Sequence, residues 1–398
     1  MGGEAQFDVA VIGGGLVGAA AARALCAALP GARIALVAPE RPVTRPDREG
    51  FDVRVYAIGP GNAAFLAQLG AWDRIAPAQR APVRAMRVFG DDGGSTLEFD
   101  AYRSGVAELA WIVEDRQLQH ALWQGLEDRP GLTLHAGAAL AECRLDQGPA
   151  ELVLQDGRRL AARLVVGADG ARSQVREQAG IAVRSEPYGI TAVVANFACT
   201  RRHGDVARQW FQGAAKGGAI LALLPLPGDH VSMVWSTTAA EAERLLALEA
   251  GELAGEVAAA SSHALGDLSV VTPPRGFPLQ RLAAARLVSP RVALAGDAAH
   301  VVHPLAGQGV NLGLQDVRVL AQVLGAAEPG RDPGDLRLLR RYERARAEPI
   351  LAMRATVHGL FRLFDAPGPV AGRLRNAGLD LADRLPVLKN LLMRHAMG

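Results

Sequence analysis

Apolar positions fall in short unbroken runs through the first half of the chain. Phe7-Asp-Val-Ala-Val-Ile12 leads into three glycines and then the alanine-rich stretch from Ala19 to Leu29, which predicts a buried strand, a tight turn and a helix. Residues 33–37, 132–136 and 164–167 predict further strands. Residues 150–154 and 158–161 flank Gln155-Asp156-Gly157, a hairpin signal. From residue 185 the pattern changes to short β-rich runs at 191–199, 206–211, 219–224 and 230–237, followed by a helical stretch over 239–261. A strand ending at Gly296 restores the earlier pattern, and a helix opens near Gly309. Residues 335–397 read as mainly helical, with breaks at Pro349, Pro367, Pro369 and Pro386. Strands that alternate with helices in this way predict an α/β fold. The boundaries divide the chain into 1–180, 181–288, 289–334 and 335–398.

Composition narrows the picture only a little. At 398 residues the chain exceeds the usual size of one core, and its 49% hydrophobic content is enough to fill two. A net charge of +2 with acids and bases nearly balanced gives no reason to expect a nucleic-acid partner. Cys26, Cys143 and Cys199 lack metal-ligand spacing, so free thiols in a reducing cytoplasm are expected and a metal is not. The polar residues before Phe7 do not read as a secretory signal, and no apolar stretch reaches the length of a membrane span.

Three motifs carry chemistry. The first is Gly13-Gly14-Gly15-Leu16-Val17-Gly18 between strand and helix, the context of a dinucleotide fingerprint. Gly13 permits the turn, Gly15 lets the backbone approach a pyrophosphate, and Gly18 allows helix and strand to pack closely. The second is Asp169-Gly170 at the end of another strand, which alone would read as an ordinary turn. The third is Gly296-Asp297-Ala-Ala-His300-Val-Val-His303-Pro304-Leu-Ala-Gly307-Gln-Gly309-Val310-Asn311. A carboxylate at a strand end can hold a sugar-alcohol hydroxyl, and free amides at a helix start favour an anion or an electron-rich carbonyl.

In this order the motifs resemble the fingerprints of the FAD-dependent aromatic hydroxylases, the group that includes p-hydroxybenzoate hydroxylase. The segment 303–316, together with Asp52-Val-Arg54, Leu69-Gly70-Ala71-Trp72 and Glu114-Asp115-Arg116, is similar to blocks of the ubiquinone-biosynthesis branch over nearly the whole chain. The resemblance implies a Rossmann-like FAD-binding domain (1–180 and 289–334), an interleaved β-sheet substrate domain (181–288) and a C-terminal helical segment (335–398). It implies NAD(P)H as a transient reductant and hydroxylation of an aromatic ring with O2 through a flavin C4a-hydroperoxide. The expected substrate is a polyprenylated phenol, with a small soluble phenol or a non-catalytic flavin-binding subunit as alternatives. A flavin halogenase is disfavoured by the missing Trp-x-Trp-x-Ile motif.

By the same resemblance, Gly13, Gly15, Gly18, Arg54, Arg116, Asp169, Gly296, Asp297, Gly307, Gly309, Val310 and Asn311 are the expected cofactor-binding residues. Asp297 would accept from the ribityl chain, and Gly307, Gly309 and Asn311 would offer backbone amides to the flavin pyrimidine edge. Pro304 and His303 form the expected catalytic loop, with His303 read as pocket-lining rather than as a general base. Trp210, Phe211, Phe197 and Trp235 fall in the expected substrate sheet, where aromatic residues are more often core than pocket. Two departures stand out. Ala38-Pro39-Glu40 occupies the end of the second strand, where an acid usually binds the adenosine ribose, so Ala38→Glu is expected to tighten FAD. Asp115 stands where the family has Asn. A prenylated substrate also implies a ubiquinone-biosynthesis complex or peripheral contact with the inner face of the membrane, and a homodimer is a further partner to be tested. The apolar run 357–364 and the basic residues after it are the candidate membrane device.

Overall fold

The computed structural model describes residues 6–42, 50–91, 95–145, 148–212, 219–301 and 308–365, with side chains to residue 353. In chain order it contains β1 (Phe7–Ile12), α1 (Leu16–Ala28), β2 (Ile34–Ala38), β3 (Val55–Ile58), α2 (Pro60–Gln68), β4 (Ala81–Val83), β5 (Ala85–Phe89), β6 (Thr96–Asp100), β7 (Ala110–Glu114), α3 (Asp115–Trp123) and β8 (Leu132–Ala136). There follow β9 (Leu140–Arg144), β10 (Ala150–Leu154), β11 (Arg159–Gly167), α4 (Gln174–Gln178), β12 (Val183–Cys199), β13 (Val206–Phe211), β14 (Ile220–Leu226) and β15 (His230–Thr238). The chain ends with α5 (Ala239–Ala247), α6 (Ala250–Ala260), β16 (Leu268–Ala284), β17 (Val288–Ser289), β18 (Val292–Leu294), β19 (His300–Val301), α7 (Gln308–Gly325) and α8 (Leu336–Asp365).

The first sheet runs β17-β18-β11-β1-β2-β8, with β10 and β9 continuing from β11. β1, β2, β8, β11 and β18 are parallel to one another. Parallel strands inside a sheet are covered on both faces, which is why Val9–Ile12, Ile34–Ala38 and Leu164–Val166 are apolar without alternation, whereas the edge strand β8, Leu-Thr-Leu-His-Ala, has no buried residue. Ile34 to Ala38 is buried throughout. The second sheet runs β19-β16-β12-β15-β14-β13-β5-β6 and is not confined to residues 181–288, because β5 and β6 extend its far edge through β13. One face packs on α5 and α6 through Phe197, Trp210, Leu221, Met233 and Trp235. The other meets the small sheet β3-β7-β4, with Ala207, Leu224 and Leu226 against Ala81, Val83 and Ile112.

Two local expectations need correction. The helix expected over 239–261 is two helices, because Leu248 is extended and Glu249 starts α6, its backbone amide donating to the Glu252 carboxylate at 3.2 Å. Pro349 does not interrupt the C-terminal helix, since α8 runs through it. Leu338, Leu339, Tyr342, Arg346 and Ile350 recur every three or four residues and are all buried. Tertiary packing of that stripe outweighs the hydrogen bond that proline forfeits.

Arg23 also escapes a pattern-based reading. It lies fully buried in the alanine-rich α1, donating to the carbonyls of Leu122 at 2.6 Å, Leu69 at 3.1 Å and Gln124 at 2.5 Å. It thereby satisfies orphan carbonyls at the ends of α2 and α3. Burial, reinforced by Arg129 and Arg74, pulls its pKa down to about 10.

Candidate functional site

The three motifs meet at the carboxyl ends of adjacent parallel strands. Ile12 of β1 is opposite Gly167 of β11, and Gly167 is opposite Leu294 of β18. The turns at Gly13, Asp169 and Gly296–Asp297 are therefore neighbours, although the chain separates them widely. Gly13 has φ +115°, and a Cβ there would come within 2.2 Å of the Ala168 carbonyl oxygen. A Cβ at Gly18 would lie 1.8 Å from the Gly13 oxygen. Gly15 differs: nothing lies within 4 Å of where its Cβ would be, and it begins α1 with no side chain capping the first amides. The result is an open helix start carrying partial positive charge.

Asp297 sits in the turn Gly296–Ala298 and is the one exposed residue between 292 and 300. Its carboxylate makes no hydrogen bond among the described residues. The tip reaches water, but protein walls the group, so burial raises its pKa against the pull of His300 and Arg54. Asp169 accepts from Val175 N through one oxygen at 3.2 Å, while its buried Oδ1 has no partner among the described residues. Arg176 joins the two turns by donating to Ala298 O and Ala171 O, each at 2.9 Å.

The first turn of α7 supplies the backbone amides of Gly309, Val310 and Asn311, and space is open around Gly309. The Asn311 side chain is already engaged. Its Nδ2 donates to Ala57 O at 2.6 Å, and its Oδ1 accepts from Gly59 N at 3.2 Å and Asn62 Nδ2 at 2.8 Å. These bonds pin α7 to β3 and α2. Gly313 brings α7 onto α1, since a Cβ there would meet Val17 at 2.7 Å. His303, Pro304 and Gly307 lie outside the described residues.

Arg54 and Arg116 have different situations. Arg54 is exposed, and its guanidinium lies over the Phe277 ring of β16 at 5.1 Å. Arg116 pairs with Glu114 at 2.9 Å and donates to Gly50 O at 2.5 Å. Glu114 accepts from Asp52 N at 2.5 Å, while Asn196 and Thr272 of the second sheet donate to Asp52 O at 2.8 Å and Phe51 O at 3.0 Å. Arg116 is thus part of a clamp on residues 50–54, and Arg54 is the cation that the clamped segment presents.

Motif reading did not single out Tyr56, whose hydroxyl shares a side-chain hydrogen bond with Asp115 and feels the charge of Asp297. Gln119 donates to Asp115 at 3.2 Å. Burial raises the Asp115 pKa above the ordinary 3.8, and the Asp52 charge adds to this, against Gln119, Arg54 and Tyr56. A carboxyl whose pKa is raised by folding is harder to ionise in the native state. Its contribution to stability is present below the unfolded value and falls away as pH rises from 3.8 through the folded value. Asp115→Asn is expected to flatten that decline. Thermal melts of the cofactor-free protein across this window check it, and an unchanged slope would contradict it.

Ala38 is fully buried at the end of β2, its Cβ against Gly14. Trp123 covers the same glycine and donates to its carbonyl at 2.9 Å. Glu40 is exposed beyond the strand. These contacts set a cost on Ala38→Glu in the cofactor-free protein, because a carboxylate there would be buried beside an indole with no partner until a ribose hydroxyl supplies one. Such a group costs free energy, so the substitution is expected to lower the melting temperature of the cofactor-free protein while tightening FAD, measured by melts and flavin fluorescence. Phe197, Trp210 and Trp235 belong to the core beneath α5 and α6, whereas Phe211 packs with Val88, Leu97 and Ile220. Among the described residues no helix is long and apolar enough to cross a membrane.

Comparison with known proteins agrees with this geometry. A family model described as FAD binding domain matches residues 6–355. The ubiquinone hydroxylase UbiL of Rhodospirillum rubrum is 40% identical, the match covering 98% of this chain and 89% of that one. The 3-demethoxyubiquinol 3-hydroxylase of Escherichia coli is 34% identical over 98% of each. Among solved structures, Pseudomonas aeruginosa PqsL in complex with 2-aminobenzoylacetate superposes with a TM-score of 0.77 at 26% identity, covering 94% of this chain and 99% of PqsL. With the three motifs assembled on one sheet and full-length similarity on both sides, the chain belongs to the FAD-dependent aromatic hydroxylases, in the branch of the ubiquinone-biosynthesis monooxygenases.

Proposed function

We propose that this enzyme hydroxylates the aromatic ring of a prenylated phenol on the route to ubiquinone, with NAD(P)H and O2 as co-substrates. The observation that carries the reading is the convergence of an open helix start at Gly15 and a carboxylate at Asp297 with no hydrogen bond among the described residues, on neighbouring strand ends. The residues fit FAD. The α1 amides suit its pyrophosphate, Asp297 suits a ribityl hydroxyl, and the α7 amides at Gly309, Val310 and Asn311 suit the electron-rich edge of the ring system. When bound, FAD supplies the electron transfer and oxygen activation that no side chain can.

The protein's own part is to orient and to exclude water. Gly13 and Gly18 let α1 approach the sheet, Arg54 offers positive charge beside the site, and Asp169 keeps one acceptor without a partner among the described residues, next to the glycine turn. The second sheet turns a largely apolar face, with Ala207, Leu224 and Leu226, toward the small sheet.

The test is NAD(P)H consumption by the FAD-loaded enzyme with a prenylated phenol, a short-chain phenolic acid, or neither. Acceleration by the prenylated phenol, with a product heavier by one oxygen, supports the reading. A non-catalytic subunit would bind FAD and show no substrate-dependent consumption. For membrane access we propose the basic, leucine-containing tail after Pro386, which lies outside the described residues. Truncation there is expected to reduce association with anionic liposomes while FAD stays bound.

A further inference from the structure

The Gly296–Asp297 turn is held by buried groups from two helices. Asp316 of α7 is fully buried. Its Oδ2 accepts from Gly296 N at 3.0 Å and from His300 Nε2 at 2.7 Å. One oxygen therefore closes both ends of a five-residue loop, and the exposed Asp297 stands within it. The other oxygen accepts from Arg346 Nε of α8 at 2.7 Å. Arg346 also donates to Leu312 O and to Gln315 Oε1, each at 3.3 Å. Tyr342, one turn earlier in α8, donates to Leu294 O at 2.7 Å just ahead of the loop.

This arrangement is a costly way merely to fill space. A buried ion pair loses several kcal/mol of hydration per charge, and an apolar cluster of similar volume commonly serves as well. What the charged groups add is direction, since each bond fixes one atom of the loop. Burial by itself would raise the Asp316 pKa, but His300, Arg346 and the Gly296 amide outweigh it and hold the carboxyl below the ordinary range. His300 in turn draws down the pKa of Asp297. The same imidazole is therefore bonded to the buried carboxylate and electrostatically coupled to the exposed one.

We propose that His300, Asp316 and Arg346 are positioning residues for Asp297: they set the placement of its carboxylate, and through Arg346 they make FAD affinity depend on how α8 is seated. The proposal rests on the reading of Asp297 as a flavin-hydroxyl acceptor. It separates a group that touches the cofactor from three that act only through it.

A double-mutant cycle tests this, with FAD dissociation constants from flavin fluorescence and melting temperatures of the cofactor-free proteins as folding controls. His300→Gln is expected to weaken FAD about five- to thirtyfold in the wild-type background and less than about twofold in an Asp297→Asn background, the coupling typical of residues acting as one unit. Arg346→Lys, which keeps the charge, is expected to retain most of the affinity that Arg346→Met loses. Equal weakening by His300→Gln in both backgrounds would mean that the triad only supports the fold, and the proposal would fall. So would affinities of Arg346→Lys and Arg346→Met that match. Should Asp316→Asn not fold, the His300 and Arg346 variants still decide the matter. A wild-type chain that takes up no FAD would bring down the underlying reading and the proposal with it, an outcome distinct from tight wild-type binding with an additive cycle.

Discussion

Asp297→Ala is expected to yield a folded protein that loses its flavin and, with it, hydroxylation. Asp297 is exposed and makes no hydrogen bond among the described residues, so truncating it removes no protein contact of that kind. Burial already disfavours its charge, so the apo protein should melt no lower than wild type. The loss falls on the cofactor. A buried hydroxyl deprived of its acceptor costs roughly 1–3 kcal/mol, or about ten- to a hundredfold in affinity. Fluorescence titration gives the dissociation constant, and activity at saturating FAD shows how much of the defect is occupancy. Unchanged FAD affinity would place the ribityl contact elsewhere.

Gly18→Ala is expected to be more disruptive, because it acts on backbone packing and not on a side-chain contact. The added Cβ would come 1.8 Å from the Gly13 oxygen and 2.8 Å from its carbonyl carbon, far inside contact distance and against atoms that cannot rotate away. Either α1 shifts off the sheet or the glycine turn opens. Overpacking of this kind costs roughly 1–3 kcal/mol and sometimes more, and both responses displace the amides at Gly15. We expect a clearly lowered melting temperature together with at least tenfold weaker FAD binding. Gly15→Ala is the control, since nothing lies within 4 Å of its added Cβ and the apo protein should melt almost normally. If Gly18→Ala melts and binds like wild type, the close approach of α1 to β1 is not what shapes the site.

The motifs were legible because their chemistry is local. A strand that must be buried on both faces is written as an apolar run, as in Val9–Ile12 of β1, and Phe7–Ile12 and the edge strand Leu132–Ala136 both fold over the very residues the pattern predicts. A turn needing φ +115° at Gly13 must be glycine, so spacing alone revealed the helix start. The break within 239–261 was less visible, since an acidic cap at Glu249 resembles any helix-surface glutamate until its partner Glu252 is located. The reading of Pro349 as a helix end followed the local penalty and missed the buried stripe that overrides it.

By itself, then, the sequence determined the α/β class, the three chemical turns, and, through its resemblance to known hydroxylases, the cofactor and the kind of reaction. Those properties depend on residue type and short spacing. Only the tertiary structure decided which charges are free to act. Arg116 and the Asn311 side chain are spent inside the protein while Asp297 makes no hydrogen bond among the described residues, and Ala38 is closed over by Trp123. Only the fold brought Asp316 and Arg346, from two different helices, behind the turn that carries Asp297. The physical reason is that a polar group's role is set by whichever partner reaches it first, and such partners lie far away in the chain.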